Sequence, residues 1–274
     1  MRRVKYLSVL LIAVLLVGLL SACAGMADEI IIVAGSTSVQ PYAEILSEEY
    51  ALEHANIEID VQGGGSSAGI TAVLSGTANI GMSSRALKES EQDLWSVEIA
   101  KDGLAMIIHP NNPVKDLTLA QIRDIYTGTL TNWREVGGND AKIHVITREE
   151  GSGTRSAFEE LVMEKERITP RAIVQDSNGA VRQLVCGDLN SIGFISLGLV
   201  GIGEKPVRAL ALGGIEATWE NVSDGSYTLF RPFLFVCAAE PGGQAKKFID
   251  FVLSEKGQQM LIHEGLIPKG GETK

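Results

Sequence analysis

The chain has 274 residues, of which 45% are hydrophobic, so it is long enough to form two domains with hydrophobic cores. Its 34 Asp and Glu outnumber its 24 Lys and Arg, giving a formal net charge of −10 at pH 7. This acidity excludes nucleic acid and anionic membrane surfaces as expected partners. A small anion stays compatible with it, because local dipoles and one or two arginines can bind an anion within an acidic exterior.

The N-terminus has the features of an export signal. A basic segment (residues 1–5) precedes an apolar run (residues 7–20) that is too short for a typical membrane-spanning helix, and "LSAC" follows. This order predicts a signal peptide over residues 1–22 and resembles a bacterial lipobox, in which Cys23 is lipidated. Its removal leaves 21 Lys and Arg against 34 Asp and Glu, a net charge of −13. The alternative is an ordinary signal peptide with an incidental cysteine.

A lipid on Cys23 would place the mature protein outside the cytoplasm, anchored to the cell membrane through a tether of residues 23–29. The type of cell envelope is not legible in the sequence, since an N-terminal lipid fits one membrane or two.

Beyond the tether, short β-rich runs alternate with segments of helical spacing. In the first part of the chain this β-α-β-α order predicts a mostly parallel sheet with helices on both faces. The predicted strands cover residues 29–35, 57–65, 78–84 and 102–110, and the predicted helices cover residues 39–54, 67–76 and 89–96.

The second part repeats this pattern. A helix over 118–128 is capped by Thr118 and closed by Gly128. Two strand, polar loop and helix units follow, and then a short apolar segment, a long β-rich run and a closing amphipathic helix. These segments cover residues 142–162, 172–187, 191–200, 227–239 and 242–266.

The cysteine and histidine positions do not indicate a metal site. Cys186 and Cys237 lie far apart in apolar stretches, and the four histidines are scattered singly. We expect no cofactor or metal. Buried free thiols are the preferred interpretation of the two cysteines, and an extracytoplasmic disulfide between them stays open.

Four predicted turns from strand to helix are rich in glycine and serine: "AGSTSVQP", "QGGGSSAG", "REEGSGTRS" and "QDSNGAVR". In an open α/β sheet such turns line the crevice beyond the strand ends, where helix N-termini offer unpaired N–H groups to an anion. Each turn taken alone is equally explained by ordinary helix caps. The hydroxyls expected in this crevice belong to Ser36, Thr37, Ser38, Ser66, Ser67, Ser152 and Thr154.

Arg148 strengthens the prediction of an anion site. A guanidinium beside an amide-rich loop can donate to two oxygens of a tetrahedral anion. Glu149 and Glu150 follow it directly and are interpreted either as groups that orient Arg148 or as solvated surface acids.

Six ordered motifs then carry a specific resemblance: "AGSTSVQPYAE", "VQGGGSSAGI", "GTANIGMSSR", "LTLAQIRDIYTGTLTNW", "TREEGSGTRSAFEEL" and "NGAVRQLV". Together they resemble the phosphate-binding lipoproteins of bacterial ABC-type phosphate importers, in their shorter form. The resemblance runs from about residue 30 to the end of the chain.

The resemblance implies an α/β fold of the periplasmic-binding-protein type, with two lobes closing around one phosphate. Each lobe would be a mostly parallel sheet flanked by helices, and two crossing strands would join the lobes. Residues 30–105 and 232–274 would form the first lobe, and residues 106–231 the second. The expected partners are inorganic phosphate and the membrane permease of an ABC importer, and the expected state is a monomer.

Matched motif by motif, the resemblance also implies a ligand set. Thr37, Ser38 and Ser66 would contact phosphate from the first lobe, and Arg148, Ser152, Gly153 and Thr154 from the second.

The chain departs from the family pattern at one position. Many members carry an aspartate there that accepts a proton from bound phosphate and so rejects sulfate, whereas this chain has Ser84 followed by Arg85. We therefore expect Ser84 at the site and Arg85 as a second positive ligand, with Glu150 as another candidate proton acceptor. The alternative for Arg85 is an exposed surface arginine, and discrimination between phosphate and other oxyanions stays open.

Two other functions fit parts of the sequence. Sulfate or molybdate binding would use the same donors. In addition, residues 65–69 match G-x-S-x-G, the nucleophile turn of serine hydrolases, with Ser67 as nucleophile. Neither His144 nor His263 lies on a late loop after an aspartate, as that mechanism requires. We therefore do not expect an enzyme.

Overall fold

The computed structural model describes residues 29–201 and 206–269. The predicted signal peptide and Cys23 lie outside these described residues. Within the described ranges, no helix combines the length and the apolar character needed to cross a membrane.

Eight strands form the main path of one sheet. They are β1 (Ile30–Gly35), β2 (Glu58–Gly63), β3 (Ile80–Ser83), β4 (Trp95–Ile108), β6 (His144–Arg148), β7 (Ile173–Gln175), β8 (Ser191–Ser196) and β11 (Phe230–Cys237). Four two-residue strands accompany them: β5 (Asp116–Leu117), β9 (Arg208–Ala209), β10 (Ala211–Leu212) and β12 (Ile267–Pro268). The order along the sheet is β2-β1-β3-β11-β4-β8-β6-β7; β9 and β12 pair with β4, and β5 pairs with β10.

The helices flank this sheet. They are α1 (Gln40–Glu53), α2 (Ser66–Leu74), α3 (Leu119–Thr127), α4 (Gly153–Phe158), α5 (Asn178–Gly187), α6 (Trp219–Ser223), α7 (Gly243–Leu253) and α8 (Glu255–His263). A π-helical turn (Glu159–Met163) extends α4, and short 3₁₀ turns occur at Glu89–Glu91, Trp133–Val136 and Leu197–Leu199.

The long strand β4 divides the sheet into two half-sheets. Between Trp95 and Gly103 it pairs antiparallel with β11, and between Leu104 and Ile108 it pairs antiparallel with β8. We call β2, β1, β3 and β11 the first half-sheet and β8, β6 and β7 the second. In the first, β1 pairs parallel with β2 and β3; in the second, β6 pairs parallel with β7 and β8. The predicted α/β fold with mostly parallel sheets is confirmed. Of the two expected crossing strands, β4 pairs with strands of both half-sheets, whereas β11 pairs with β3 and β4.

Two element predictions were wrong in their bounds. The strand expected from residue 102 begins at Trp95, and the helix expected over 89–96 is only the 3₁₀ turn before it. The first half of β4 is only partly buried and carries polar residues, which hid its strand character from a search for apolar runs. The closing helix is two helices, because Ser254 ends α7 and caps α8, its Oγ accepting a hydrogen bond from the Gly257 N–H.

Both cysteines beyond Cys23 are free thiols in this structure. Cys237 is buried, and burial raises the pKa of its thiol to about 11, so it stays protonated at neutral pH. Cys186 is half-buried, which is more exposed than the sequence suggested.

The second half-sheet has an aromatic core. Phe158 and Phe194 stack with ring centroids 4.2 Å apart, and Tyr126 packs against Phe158 at 4.4 Å. All three side chains are fully buried. Because stacked aromatic rings contribute both buried area and specific geometry, this cluster fixes α3 and α4 against β8.

Replacing Phe194 by alanine should remove this contact and leave a cavity. We expect Phe194→Ala to lower the free energy of unfolding by about 3 to 5 kcal/mol, measured by guanidinium unfolding. Val174→Ala is the control, because Val174 is 54% exposed on β7. A cost below about 1 kcal/mol for Phe194→Ala would show that the cluster does not hold this core.

Candidate functional site

Polar loops from the two half-sheets meet between them. Ser38, in the turn from β1 to α1, has its Oγ 2.9 Å from Oγ1 of Thr154, in the first turn of α4. Asn178, at the start of α5, donates from Nδ2 to Ser38 Oγ at 2.9 Å and to Thr37 Oγ1 at 3.1 Å. Three of the four glycine- and serine-rich turns therefore converge on Ser38, although they are far apart in sequence.

The fourth glycine- and serine-rich turn, at the start of α2, contacts the loop before α4. A Cβ on Gly153 would collide with Ser66 Oγ and would lie 2.6 Å from Ser84 Oγ, so only glycine fits between these serines. The Ser67 N–H also donates to the Gly151 carbonyl at 3.0 Å, a main-chain hydrogen bond between the half-sheets. The two halves are thus in a closed arrangement.

A chain of serine hydroxyls lines the first half of this site. Ser36 Oγ donates to Ser84 Oγ at 2.8 Å, and the Ser84 N–H donates to Ser66 Oγ at 3.0 Å. All three serines are buried. We call this pocket, bounded by the serines, Ser38, Thr154 and Arg148, the hydroxyl pocket. Because a hydroxyl both donates and accepts, its wall can adapt to the protonation of a bound group.

Arg148 ends β6 at this pocket and is 1% exposed. Its Nε and Nη2 each donate to a carboxylate oxygen of Glu149 at 2.9 Å. They also donate to the main-chain carbonyls of Gln175 and Asp176. Its Nη1 is buried and has no hydrogen-bond partner among the described residues. Glu149 therefore orients Arg148, and the assignment of that role to Glu150 was wrong, because Glu150 is exposed.

A second buried arginine reaches the pocket from the crossing strands. Arg231 of β11 lies opposite Asp102 of β4 in the ladder, and its Nε and Nη2 donate to Asp102 Oδ2 at 3.2 and 3.1 Å. Nη2 also donates to Ser38 Oγ at 3.0 Å. The other Asp102 oxygen accepts from Ser196 Oγ at 2.8 Å. Nη1 of Arg231, like that of Arg148, is buried without a partner among the described residues.

Burial dominates the electrostatics of this pair. It lowers the pKa of the Arg231 guanidinium; Asp102 opposes that shift, and the nearby charge of Arg148 adds to it. Burial also raises the pKa of the Asp102 carboxyl, against the effects of Arg231 and Ser196. Two guanidinium groups therefore lie close enough to repel each other in a desolvated pocket, an arrangement that an anion between them would stabilise.

Arg85, expected as a second positive ligand, forms a buried ion pair with Glu91. Its Nη1 donates to Glu91 at 2.7 Å and to the Ala86 carbonyl at 2.8 Å, and its Nη2 donates to Glu91 at 2.9 Å. Hydrogen bonding from Arg85 lowers the pKa of Glu91, which therefore stays ionised. Arg85 is buried, so the alternative of an exposed surface arginine was wrong, and its Nε has no hydrogen-bond partner among the described residues.

The remaining predicted residues lie at the pocket or beside it. Ser152 is the N-cap of α4, because its Oγ accepts from the Arg155 N–H at 3.2 Å, and it is buried. Thr37 is half-buried. Ser67 Oγ accepts a long hydrogen bond from Arg85 Nη2 at 3.4 Å.

Comparison with known proteins agrees with this architecture. Residues 23–256 match the model of the PBP superfamily domain. The Bacillus subtilis phosphate-binding protein PstS is 30% identical over 241 residues, covering 86% of this chain and 79% of that protein. The chain belongs to the PBP superfamily.

Two solved structures are similar over most of the chain. A candidate phosphate ABC transporter substrate-binding protein from Clostridium perfringens, with bound phosphate, has a TM-score of 0.83 and 47% identity, covering 87% of this chain and 99% of that one. An ABC-type phosphate transport receptor from Vibrio cholerae has a TM-score of 0.71 and 40% identity, covering 86% and 98%.

This member of the PBP superfamily does not assemble a hydrolase triad around Ser67. The hydrogen bonds of its four histidines go elsewhere, to Tyr50, Asn111, Asp188 and Glu264. Ser66–Gly69 of the G-x-S-x-G match form the first turn of α2.

Sequence reasoning missed four residues of the site: Asp102, Asn178, Ser196 and Arg231. Asn178 stood in a turn already recognised as glycine- and serine-rich. Asp102 and Arg231 stood in runs predicted as strands with apolar neighbours. A charged side chain in a buried strand requires a partner of opposite charge, so the sequence could have predicted that Asp102 and Arg231 form an ion pair.

The close approach of Gly153 to the first half-sheet gives a direct test of closure. We expect Gly153→Ala to hold the halves apart, because its methyl group would overlap the Ser66 hydroxyl, and so to increase the radius of gyration in small-angle X-ray scattering. Gly179→Ala is the control, because a Cβ there meets only Ser177 Oγ, at 4.0 Å. Unchanged scattering by Gly153→Ala would show that the serines move aside.

Proposed function

We propose that this protein captures inorganic phosphate between its two half-sheets and delivers it to the membrane permease of an ABC importer. The observation that carries the proposal is the hydroxyl pocket itself, where converging hydroxyls accompany the buried Nη1 groups of Arg148 and Arg231, which have no partner within residues 29–201 and 206–269. A tetrahedral anion can accept from such donors on several sides at once. The names of the PstS relative and of the two similar structures support phosphate as the ligand.

In this function Arg148 supplies charge, Ser36, Ser38, Ser66 and Ser84 supply hydroxyl donors, and Thr154 donates from α4. Gly153 allows the loops to close. Ser152 holds the first turn of α4, and Thr37 anchors Asn178. Ser67 acts through its main-chain N–H, and we assign it no catalytic role.

The half-sheets would act as two lobes. Residues 30–105 and 232–274 would form one lobe and residues 106–231 the other, with β4 and β11 crossing between them. Hinge closure is the usual motion of this architecture, and few loop or strand-end residues need to change conformation. A monomer suffices for this mechanism, because both sides of the pocket come from one chain.

The proposed location is outside the cytoplasm, at the cell membrane. The lipobox-like sequence at Cys23 supports an N-terminal lipid, which would hold the protein near its permease. In this proposal the folded domain binds phosphate, and the N-terminal segment at Cys23 anchors the protein to the membrane.

Removal of Arg148 tests the ligand. We expect Arg148→Ala to weaken phosphate binding about 30-fold or more, equivalent to about 2 kcal/mol, because it removes a buried charged donor. Isothermal titration of the anion-free protein with phosphate, sulfate and molybdate measures this. Arg134→Ala is the matched control, since Arg134 forms an exposed ion pair with Asp140.

The unsubstituted protein should bind phosphate more tightly than either other anion. Tighter binding of sulfate or molybdate would still support an anion site at the pocket, but would show that phosphate is not its preferred ligand. Equal effects of the two arginine substitutions would remove Arg148 from the site.

The anchor has its own test. We expect Cys23→Ser to release the protein from membranes into the soluble fraction on cell fractionation, because serine cannot receive the thioether-linked lipid. Cys186→Ser is the control, because that thiol lies within the folded domain. Retention of the Cys23→Ser protein in the membrane fraction would count against lipidation.

A further inference from the structure

Every arginine at or beside the hydroxyl pocket already has its own carboxylate. Glu149 uses both oxygens to accept from Arg148, and Glu91 uses both to accept from Arg85. Asp102 accepts from Arg231 on one oxygen and from Ser196 on the other. The three pairs balance in charge, and none of these carboxylates has an oxygen left without a donor.

The other groups at the pocket that can accept a hydrogen bond from a ligand are neutral hydroxyls. Ser38 Oγ receives hydrogen bonds from both Asn178 and Arg231, which occupy its two lone pairs. Its proton then points to Thr154 Oγ1, and the proton of Thr154 is free for another acceptor. Ser84 Oγ likewise receives the proton of Ser36, and its own proton can go to a ligand or to Ser66 Oγ, 3.4 Å away.

Three arginines at or beside the pocket have a buried nitrogen without a hydrogen-bond partner among the described residues: Nε of Arg85, and Nη1 of Arg148 and of Arg231. The latter two belong to side chains on different strands of the sheet. Nη1 of Arg148 and Nη1 of Arg231 are both buried without partners among the described residues, on side chains that are 1% and 2% exposed. Arg231 cannot swing away from the pocket easily, because Asp102 and Ser38 hold its other nitrogens. Its position on a crossing strand makes it a fixed part of the pocket.

We infer that Arg231 is a second charged ligand of the anion, and that the pocket selects a doubly charged tetrahedral oxyanion. Its carboxylates, Glu149 and Asp102, are held by arginines, and position 84 carries a serine instead of a carboxylate that would reject sulfate. This inference rests on the proposed function and specifies the form of phosphate that is bound. Dianionic hydrogen phosphate places its single proton on a hydroxyl oxygen. Sulfate has no proton to donate and can accept hydrogen bonds from the same donors, so we expect it to bind at the same place. We expect its affinity to be lower than that of phosphate.

The groups facing Arg231 come from three elements: Asp102 from β4, Arg148 from β6 and Tyr42 from α1. Burial raises the pKa of the Tyr42 hydroxyl, so it stays neutral. The hydrogen bonds of all four histidines lie outside the pocket. The second ionisation of phosphate is then the main titration near neutral pH.

The experiment is isothermal titration of the anion-free protein with phosphate and with sulfate, at several values between about pH 5.5 and about pH 8.5. Below the second ionisation of phosphate, the dianion fraction falls tenfold per unit, so we expect apparent phosphate affinity to fall about tenfold per pH unit and to level off above it. Sulfate does not titrate in this range and should compete with phosphate at an affinity that changes little. If a protein group titrates instead, sulfate affinity will change in parallel.

Two outcomes overturn the inference while leaving phosphate binding intact. One is phosphate affinity that stays constant or rises toward acidic pH, which means that the monoanion is bound. The other is the finding that sulfate does not compete with phosphate for binding at any concentration tested. Absence of phosphate binding at every pH would overturn the proposed function as well.

Two sets of variants separate the residues. Arg231→Gln combined with Asp102→Asn removes the pair without leaving a buried lone charge, and should weaken both anions about tenfold or more. The control is Arg134→Gln with Asp140→Asn, an exposed pair of the same type. Equal small effects of the two double variants would exclude Arg231 as a ligand.

Ser84→Asp introduces the missing carboxylate. It should reduce sulfate binding at least about 100-fold more than phosphate binding, because only phosphate can donate a proton to it. Equal losses of both anions would contradict the assignment of hydroxyls as the proton acceptors. Circular dichroism of each variant confirms that the comparison is made between folded proteins.

Discussion

The antiparallel pairing of β4 with β11 is the contact on which both halves of the site depend. β4 lies between the two half-sheets, bonded to β11 along its first part and to β8 along its second. The same register sets Arg231 directly opposite Asp102. A slip of β11 by one residue would turn Arg231 to the face opposite Asp102, so the buried ion pair forms only when these two strands pair in this register.

The fold was largely legible in the sequence, because alternating strand and helix patterns with small polar turns specify a doubly flanked sheet. The convergence of these turns was also legible, since the carboxyl ends of parallel strands share one edge. The sequence did not show which carboxylate pairs with which arginine. Glu149 and Glu150 are equally placed in sequence after Arg148, and only the main-chain direction at the end of β6 decides that the first pairs with it and the second faces solvent.

The same limit explains the interpretation of Arg85. Its position after β3 is that of a ligand, yet the 3₁₀ turn that follows brings Glu91 back to it. That turn is too short to show a helical pattern. Arg231 lies far along the chain from the four turns, so no local pattern could assign it to their site.

Charge neutrality inside the pocket shapes what the site can do. Burying a guanidinium costs several kcal/mol unless a carboxylate accompanies it, and here each arginine has one. Binding strength must then come from oriented N–H and O–H dipoles and the remaining guanidinium donors rather than from excess positive charge. Such a pocket tolerates an acidic exterior, because its attraction for an anion acts over short distances inside a desolvated space.

The main-chain hydrogen bond from Ser67 to Gly151 has a consequence for transport kinetics. It joins the two halves without using any side chain, so substitution of Ser67 by any residue except proline leaves both bonding groups in place. A bond of this type contributes about 1 kcal/mol, which biases the equilibrium between open and closed forms by about fivefold. In the proposed transport function, opening of the two halves must break this hydrogen bond as well as the ligand contacts, so the backbone would contribute to the lifetime of the ligand-bound state.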